Sequence, residues 1–105
     1  MSERVAKVRS VVRAAVAREL VDVLGRESGR VTVTRVDVTP DLRHSIVWLG
    51  VVGDLGVLDT AEAGRPRLQE AVAAALATKF VPRIQLRHDG GGEHAATIDR
   101  LLKES

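Results

Sequence analysis

The chain has 105 residues and a net charge of +2, a length that holds one modest core and leaves little room for a deep enclosed pocket. Hydrophobic residues make up 45% and charged residues 29%, the balance of a soluble globular protein. Cysteine is absent, which excludes a disulfide framework, a thiolate nucleophile and a cysteine-bound zinc.

From Glu3 to Leu24 the residues Val5, Val8, Val12, Val16, Leu20 and Val23 recur at steps of three and four, one stripe of an amphipathic helix. Ser2 suits its N-cap, and Gly25 with Ser28-Gly29 ends it. Arg4, Lys7 and Arg18 project away from that stripe, while Arg9 and Arg13 sit on its flank. Val31 to Val38 alternates in polarity and is rich in β-branched residues, so it reads as a strand. Its phase slips near Arg35, which predicts a bulge or a strand covered on both faces. Thr39-Pro40-Asp41 marks a turn. A second strand, His44 to Val52, carries the unbroken run Ile46-Val47-Trp48-Leu49, expected to be buried on both faces of an antiparallel hairpin.

Gly53-Asp54-Leu55-Gly56 breaks that strand, and Val57 to Ala63 reads as a short helix. Proline fits the first turn of a helix, so Gly64-Arg65-Pro66 predicts a break and a new helix from Pro66 to about Lys79, with Leu68, Val72, Ala75 and Leu76 on one side. Phe80-Val81-Pro82 closes it. Arg83 to Arg87 alternates as a third strand with Ile84 and Leu86 inward. After the flexible Asp89-Gly90-Gly91-Gly92 turn, Ala95 to Lys103 is expected to form a short helix that docks through Ile98, Leu101 and Leu102. The order predicts an α+β two-layer sandwich, a single domain over residues 1–105 with helices on one face of a three-stranded sheet.

Only three of the 16 basic residues are lysines; the others are arginines, whose planar fork of donors suits phosphates. Aromatic content is 2%, too little for recognition by stacking on single-stranded bases. Enzyme readings lack their parts. No Ser/His/Asp set, paired carboxylates or phosphate-binding loop occurs, and no Lys-Ser/Thr follows the glycines after Asp89. His88, Asp89, Glu93 and His94 flank a flexible turn, a poor frame for a metal, so no metal and no cofactor are expected. Trp48, inside an apolar strand run, is expected in the core and not on a base.

The element order is that of a type II KH-like fold, and the residues resemble the ribosome-binding factor A family along nearly the whole chain. The likeness rests on Glu3-Arg4-Val5-Ala6, on Val31 through Leu42, on Ile46-Val47-Trp48-Leu49, on Lys79-Phe80-Val81-Pro82-Arg83-Ile84 with Asp89 beyond it, and on Ile98-Asp99-Arg100-Leu101-Leu102. The resemblance implies a cytoplasmic, non-enzymatic factor that binds 16S rRNA in the pre-30S small ribosomal subunit during late maturation and leaves before translation. Three departures stand out. Gly64-Arg65-Pro66 occupies the family's Ala-x-Gly kink, Gln69 stands where a basic residue often follows, and Glu27-Ser28-Gly29-Arg30 replaces an Asp-Pro-Arg sequence. Expected RNA contacts are Arg4, Lys7 and Arg18 on the first helix, Arg65 and Arg67 at the kink, and Lys79, Arg83 and Arg87 around the third strand. Neither a membrane nor a small-molecule substrate is expected as partner, and the free protein is expected to be monomeric. The alternative is a KH-like protein–protein interaction module that dimerises through an exposed edge strand.

Overall fold

A computed structural model of the chain describes residues 3–90. Ser2 as an N-cap, Glu93 and His94, and the helix expected over Ala95–Lys103 lie outside the described residues. Helix α1 spans Glu3–Leu24 and buries Val12, Ala15, Val16, Leu20 and Leu24, while Arg4, Lys7 and Arg18 are exposed. Its apolar stripe is what holds it to the sheet, because an isolated helix in water is marginal. Gly25, at φ +56°, turns the chain out of the helix into a 3-10 segment, Gly25–Arg30. Arg30 then fastens two loops together: Nε donates to the Val52 carbonyl at 2.9 Å, Nη2 donates to the Asp54 carbonyl at 2.6 Å, and Nη1 pairs with Glu27.

Strands β1 (Val31–Val38) and β2 (His44–Val51) form an antiparallel hairpin. Val33 faces Leu49 and Arg35 faces Trp48, so Thr34 is the extra residue of a bulge, where the polarity phase slips. The bulge resets the alternation, and Val33 and Val36 both reach the core. In the connecting turn the Leu42 amide donates to the Thr39 carbonyl at 2.9 Å, and Leu42 itself has φ +63°.

Helix α2 covers Val57–Ala63 and helix α3 Arg65–Leu76. Pro66 separates them: it has no N–H to donate, and its ring crowds the carbonyl one turn back. Gly64 lies at the elbow, its amide bonded back to Thr60 and Ala61 and its carbonyl accepting from Arg67 and Leu68. Helix α3 ends at Leu76, short of the expected Lys79. Ala77 adopts the left-handed conformation, φ +50°, which closes the helix and redirects the chain toward the buried Pro82. Ala75, expected on the apolar side, is exposed, and Leu68 and Val72 are the buried pair.

Strand β3 (Arg83–His88) pairs parallel to β2, giving the strand order β1-β2-β3. A parallel neighbour needs a crossover, and α2 and α3 supply it. The core lies between sheet and helices, with Val47, Leu49 and Ile84 meeting Val12, Val16, Leu68 and Val72. Ile46 and Trp48 point to the opposite face and are also fully buried, so β2 is covered on both sides as its unbroken apolar run suggests. Trp48 Nε1 donates to Asp37 at 2.9 Å, and Arg35 pairs with the same carboxylate at 2.9 Å.

Candidate nucleic-acid interface

Alternation along β3 sends Ile84 and Leu86 into the core and leaves Arg83, Gln85 and Arg87 on the other face. As an edge strand β3 borders an open groove of about 760 Å³, whose far wall is the α2–α3 elbow with Arg65. Three arginines, Arg65, Arg83 and Arg87, therefore line one groove, against a single acid among the described residues, Glu62. Glu62 accepts from Arg65 Nε at 2.7 Å, which steadies that side chain from within its own elbow. Arg87 lies back along the strand, donating to the Leu86 carbonyl at 3.2 Å and to Gln85 at 3.0 Å. Arg83 has no ion pair among the described residues.

Gln69 lines this groove as well. Its Oε1 accepts the Ile84 amide at 2.9 Å and its Nε2 donates to the Pro82 carbonyl at 2.9 Å, so α3 is tied to the start of β3. An amide points to one side of its strand only, so the Ile84 N–H faces away from β2 and Gln69 satisfies a donor that the edge would leave bare. Sequence reasoning saw Gln69 only as a missing basic residue. A polar side chain one turn into α3 was visible; its partner was not, because that depends on where β3 lies. On the opposite edge Arg13 Nη2 donates to the Val33 carbonyl at 3.0 Å beside the bulge.

The remaining expected contacts fall into other places. Arg67 donates to Glu19 on α1 at 2.6 Å and does not line the β3 groove. Arg18 stands in the valley between α1 and α3 with that same Glu19. Arg4, Lys7 and Lys79 line a third depression, which shares no residue with the β3 groove. Trp48 is fully buried, so no base reaches its ring without rearrangement. Asp89 serves the fold: its Oδ2 accepts from Thr34 Oγ1 at 2.6 Å, tying the end of β3 to the β1 bulge, and its amide donates to the Leu49 carbonyl of β2 at 2.9 Å. Among the described residues no three metal-ligating side chains stand together, and no described helix is long and apolar enough to cross a membrane.

The fold is shared with known proteins. The family model of Ribosome-binding factor A matches residues 4–102. The chain belongs to the ribosome-binding factor A family. A ribosome-binding factor A from Thermomicrobium roseum is 31% identical over 101 residues, covering 92% of this chain and 76% of the relative. The crystal structure of ribosome-binding factor A from Thermus thermophilus superposes with a TM-score of 0.70 at 20% identity, over 80% of this chain and 94% of that one. A model of the Thermus thermophilus protein fitted into a cryo-electron microscopy map of a 30S complex gives 0.67 at 18% identity, over 81% and 96%. At such identities the two structures speak for the fold, which is the expected KH-like one. Ribosome-binding factor A is not an enzyme family. Gly64-Arg65-Pro66 stands at the junction of α2 and α3, and Pro66 enforces the helix break there.

Proposed function

We propose that this protein is a cytoplasmic assembly factor that binds the small ribosomal subunit during late maturation, through its rRNA, and leaves before translation. The observation that carries the reading is the gathering of Arg65, Arg83 and Arg87 around the β3 groove. Arginine forks at a groove rim neutralise phosphates in pairs of N–H bonds. Among the described residues the groove has no aromatic side chain, so it recognises backbone charge and the shape of folded RNA and not stacked bases. Family membership supports the same partner, as does the 30S complex in which the Thermus thermophilus relative is fitted.

Arg4, Lys7, Arg18, Arg67 and Lys79 have no place in that groove and carry little of the affinity. The dimer reading loses its main support in the two side chains at the sheet edges, Gln69 on Ile84 and Arg13 on Val33. A monomer fits them better.

Co-sedimentation with isolated small subunits tests the proposal, with large subunits and duplex RNA as controls. Three neutralised phosphates correspond to a slope of log affinity against log salt of about −2 to −3. Arg83→Glu and Arg65→Glu should each weaken binding and flatten that slope by at least about one. Arg67→Glu should leave it unchanged. Absence of binding, or equal binding to every RNA offered, would sink the reading.

A further inference from the structure

We propose that the depression between the start of α1, the β1–β2 turn and the loop after α3 is a second docking site, which takes an acidic segment of a protein partner anchored by apolar side chains. The site has a volume of about 720 Å³. Its floor is aliphatic, built from Val8 and Val11 of α1, Leu42 of the turn and Leu76 of α3. At its rim stands Phe80, 71% exposed, the one phenylalanine in the chain. Lys79 Nζ lies 5.9 Å from the centre of that ring.

Two observations mark this surface as more than a seam between helices. The two non-glycine residues with left-handed backbone among the described residues are Leu42, φ +63°, and Ala77, φ +50°. Leu42 lines the depression, and Ala77 lies between Leu76 and Thr78, which line it as well. The turn at Ala77 also closes α3; at Leu42 such strain persists where a surface has to be presented in a fixed shape. A leucine held where glycine or asparagine would be easier keeps an apolar side chain in the floor.

Charge gives the second observation. Lys7 and Lys79 stand on the walls, and Asp41 is the one acid among the described residues that line them. The Asp41 carboxylate is already engaged, accepting from Thr39 Oγ1 at 2.7 Å and from the Arg43 amide at 3.1 Å. A partner with glutamate or aspartate around its apolar anchors complements such a rim. RNA fits less well: there is a single ring, the Lys79 ammonium approaches its face, and the aliphatic floor has no donors or acceptors for base edges. The surface instead has the features of a groove that receives the apolar side of a short helix.

The test is selection from a random-peptide library on the immobilised full-length protein, followed by fluorescence anisotropy with the selected peptide. A fluorescein-labelled single-stranded oligouridylate runs alongside. The expected peptides carry apolar residues at helical spacing with aspartate or glutamate between them. Phe80→Ala and Lys79→Glu should each lower peptide affinity at least about tenfold, while Phe80→Ala leaves small-subunit co-sedimentation intact. Both side chains are exposed, and unchanged Trp48 fluorescence verifies the fold of each variant. Three results would overturn the proposal: no enriched peptide, peptides without an acidic bias, or peptides indifferent to both substitutions. Oligouridylate binding that Phe80→Ala abolishes would give the site to RNA and overturn it too. None of these outcomes depends on whether the β3 groove binds rRNA.

Discussion

Gly64 is the tightest glycine in the structure, and Gly64→Ala isolates the contact that makes it so. Its backbone, at φ −88° and ψ 2°, is open to any residue, so a substitution meets no torsional penalty. The obstacle is a neighbour. A Cβ at this position would stand 2.4 Å from Val23 Cγ1 and 3.1 Å from Cγ2. Carbon atoms at rest are about 3.5–4.0 Å apart, so α1 and the α2–α3 elbow have to separate. Val23 is β-branched in a helix and strongly favours one rotamer, so moving aside is costly. Overpacking of this kind costs about 1–3 kcal/mol, offset by roughly 0.4–1 kcal/mol because alanine restricts the unfolded chain. A net loss of about 1–2 kcal/mol lowers the melting temperature of a domain this size by roughly 4–16 °C. The single tryptophan, Trp48, is fully buried and reports unfolding in urea or on heating. In a Val23→Ala background the same substitution should become neutral or mildly stabilising, with a coupling of about 1–3 kcal/mol between the two sites. Equal cost in both backgrounds, or no cost in the natural one, would refute the steric account.

Ala77→Gly should stabilise the protein by up to about 1 kcal/mol, since glycine adopts the left-handed conformation freely and the exposed Ala77 methyl contributes little packing; urea unfolding checks this. Gln69→Ala removes both bonds to the start of β3 and should cost about 1–2 kcal/mol, with faster hydrogen exchange at the Ile84 amide as its signature. Unaltered exchange there would mean that Gln69 does not hold the strand. The Thr39 hydroxyl and then the Arg43 amide hold the Asp41 carboxyl below the usual aspartate range. A depressed carboxylate stabilises the fold above its unfolded-state pKa, and that contribution fades as pH falls through the lowered value. Thr39→Val should therefore raise the Asp41 midpoint in an NMR titration and move the loss of turn structure to higher pH.

Most elements were readable because each is written in local periodicity. The α1 stripe, the doubly buried β2 run and the inward Ile84 and Leu86 follow from spacing alone, and the phase slip at Arg35 located the Thr34 bulge to within a residue. What stayed hidden depends on distant neighbours. The end of α3 was misplaced because alanine favours helix, and Ala77 leaves it only under the pull of Pro82 and β3. Eight basic residues looked alike in sequence; the fold sends Arg65, Arg83 and Arg87 to one groove, pairs Arg67 with Glu19, stands Arg18 in the valley between α1 and α3, and places Arg4, Lys7 and Lys79 in another depression. Gln69 and Arg13 gained meaning only once the sheet edges were located.

The mixed pairing of β2 orders the assembly of the molecule. Its antiparallel bond to β1 closes across a short turn, whereas its parallel bond to β3 waits for the whole helical crossover. Long closures lose more chain entropy and form more slowly, so β3 is expected to be the last strand to dock. Arg83 and Arg87 travel with it, and the wall bearing Arg65 has no opposite side until they arrive. A half-made chain thus has its hairpin but no groove, and the proposed RNA-binding surface exists only in the finished molecule.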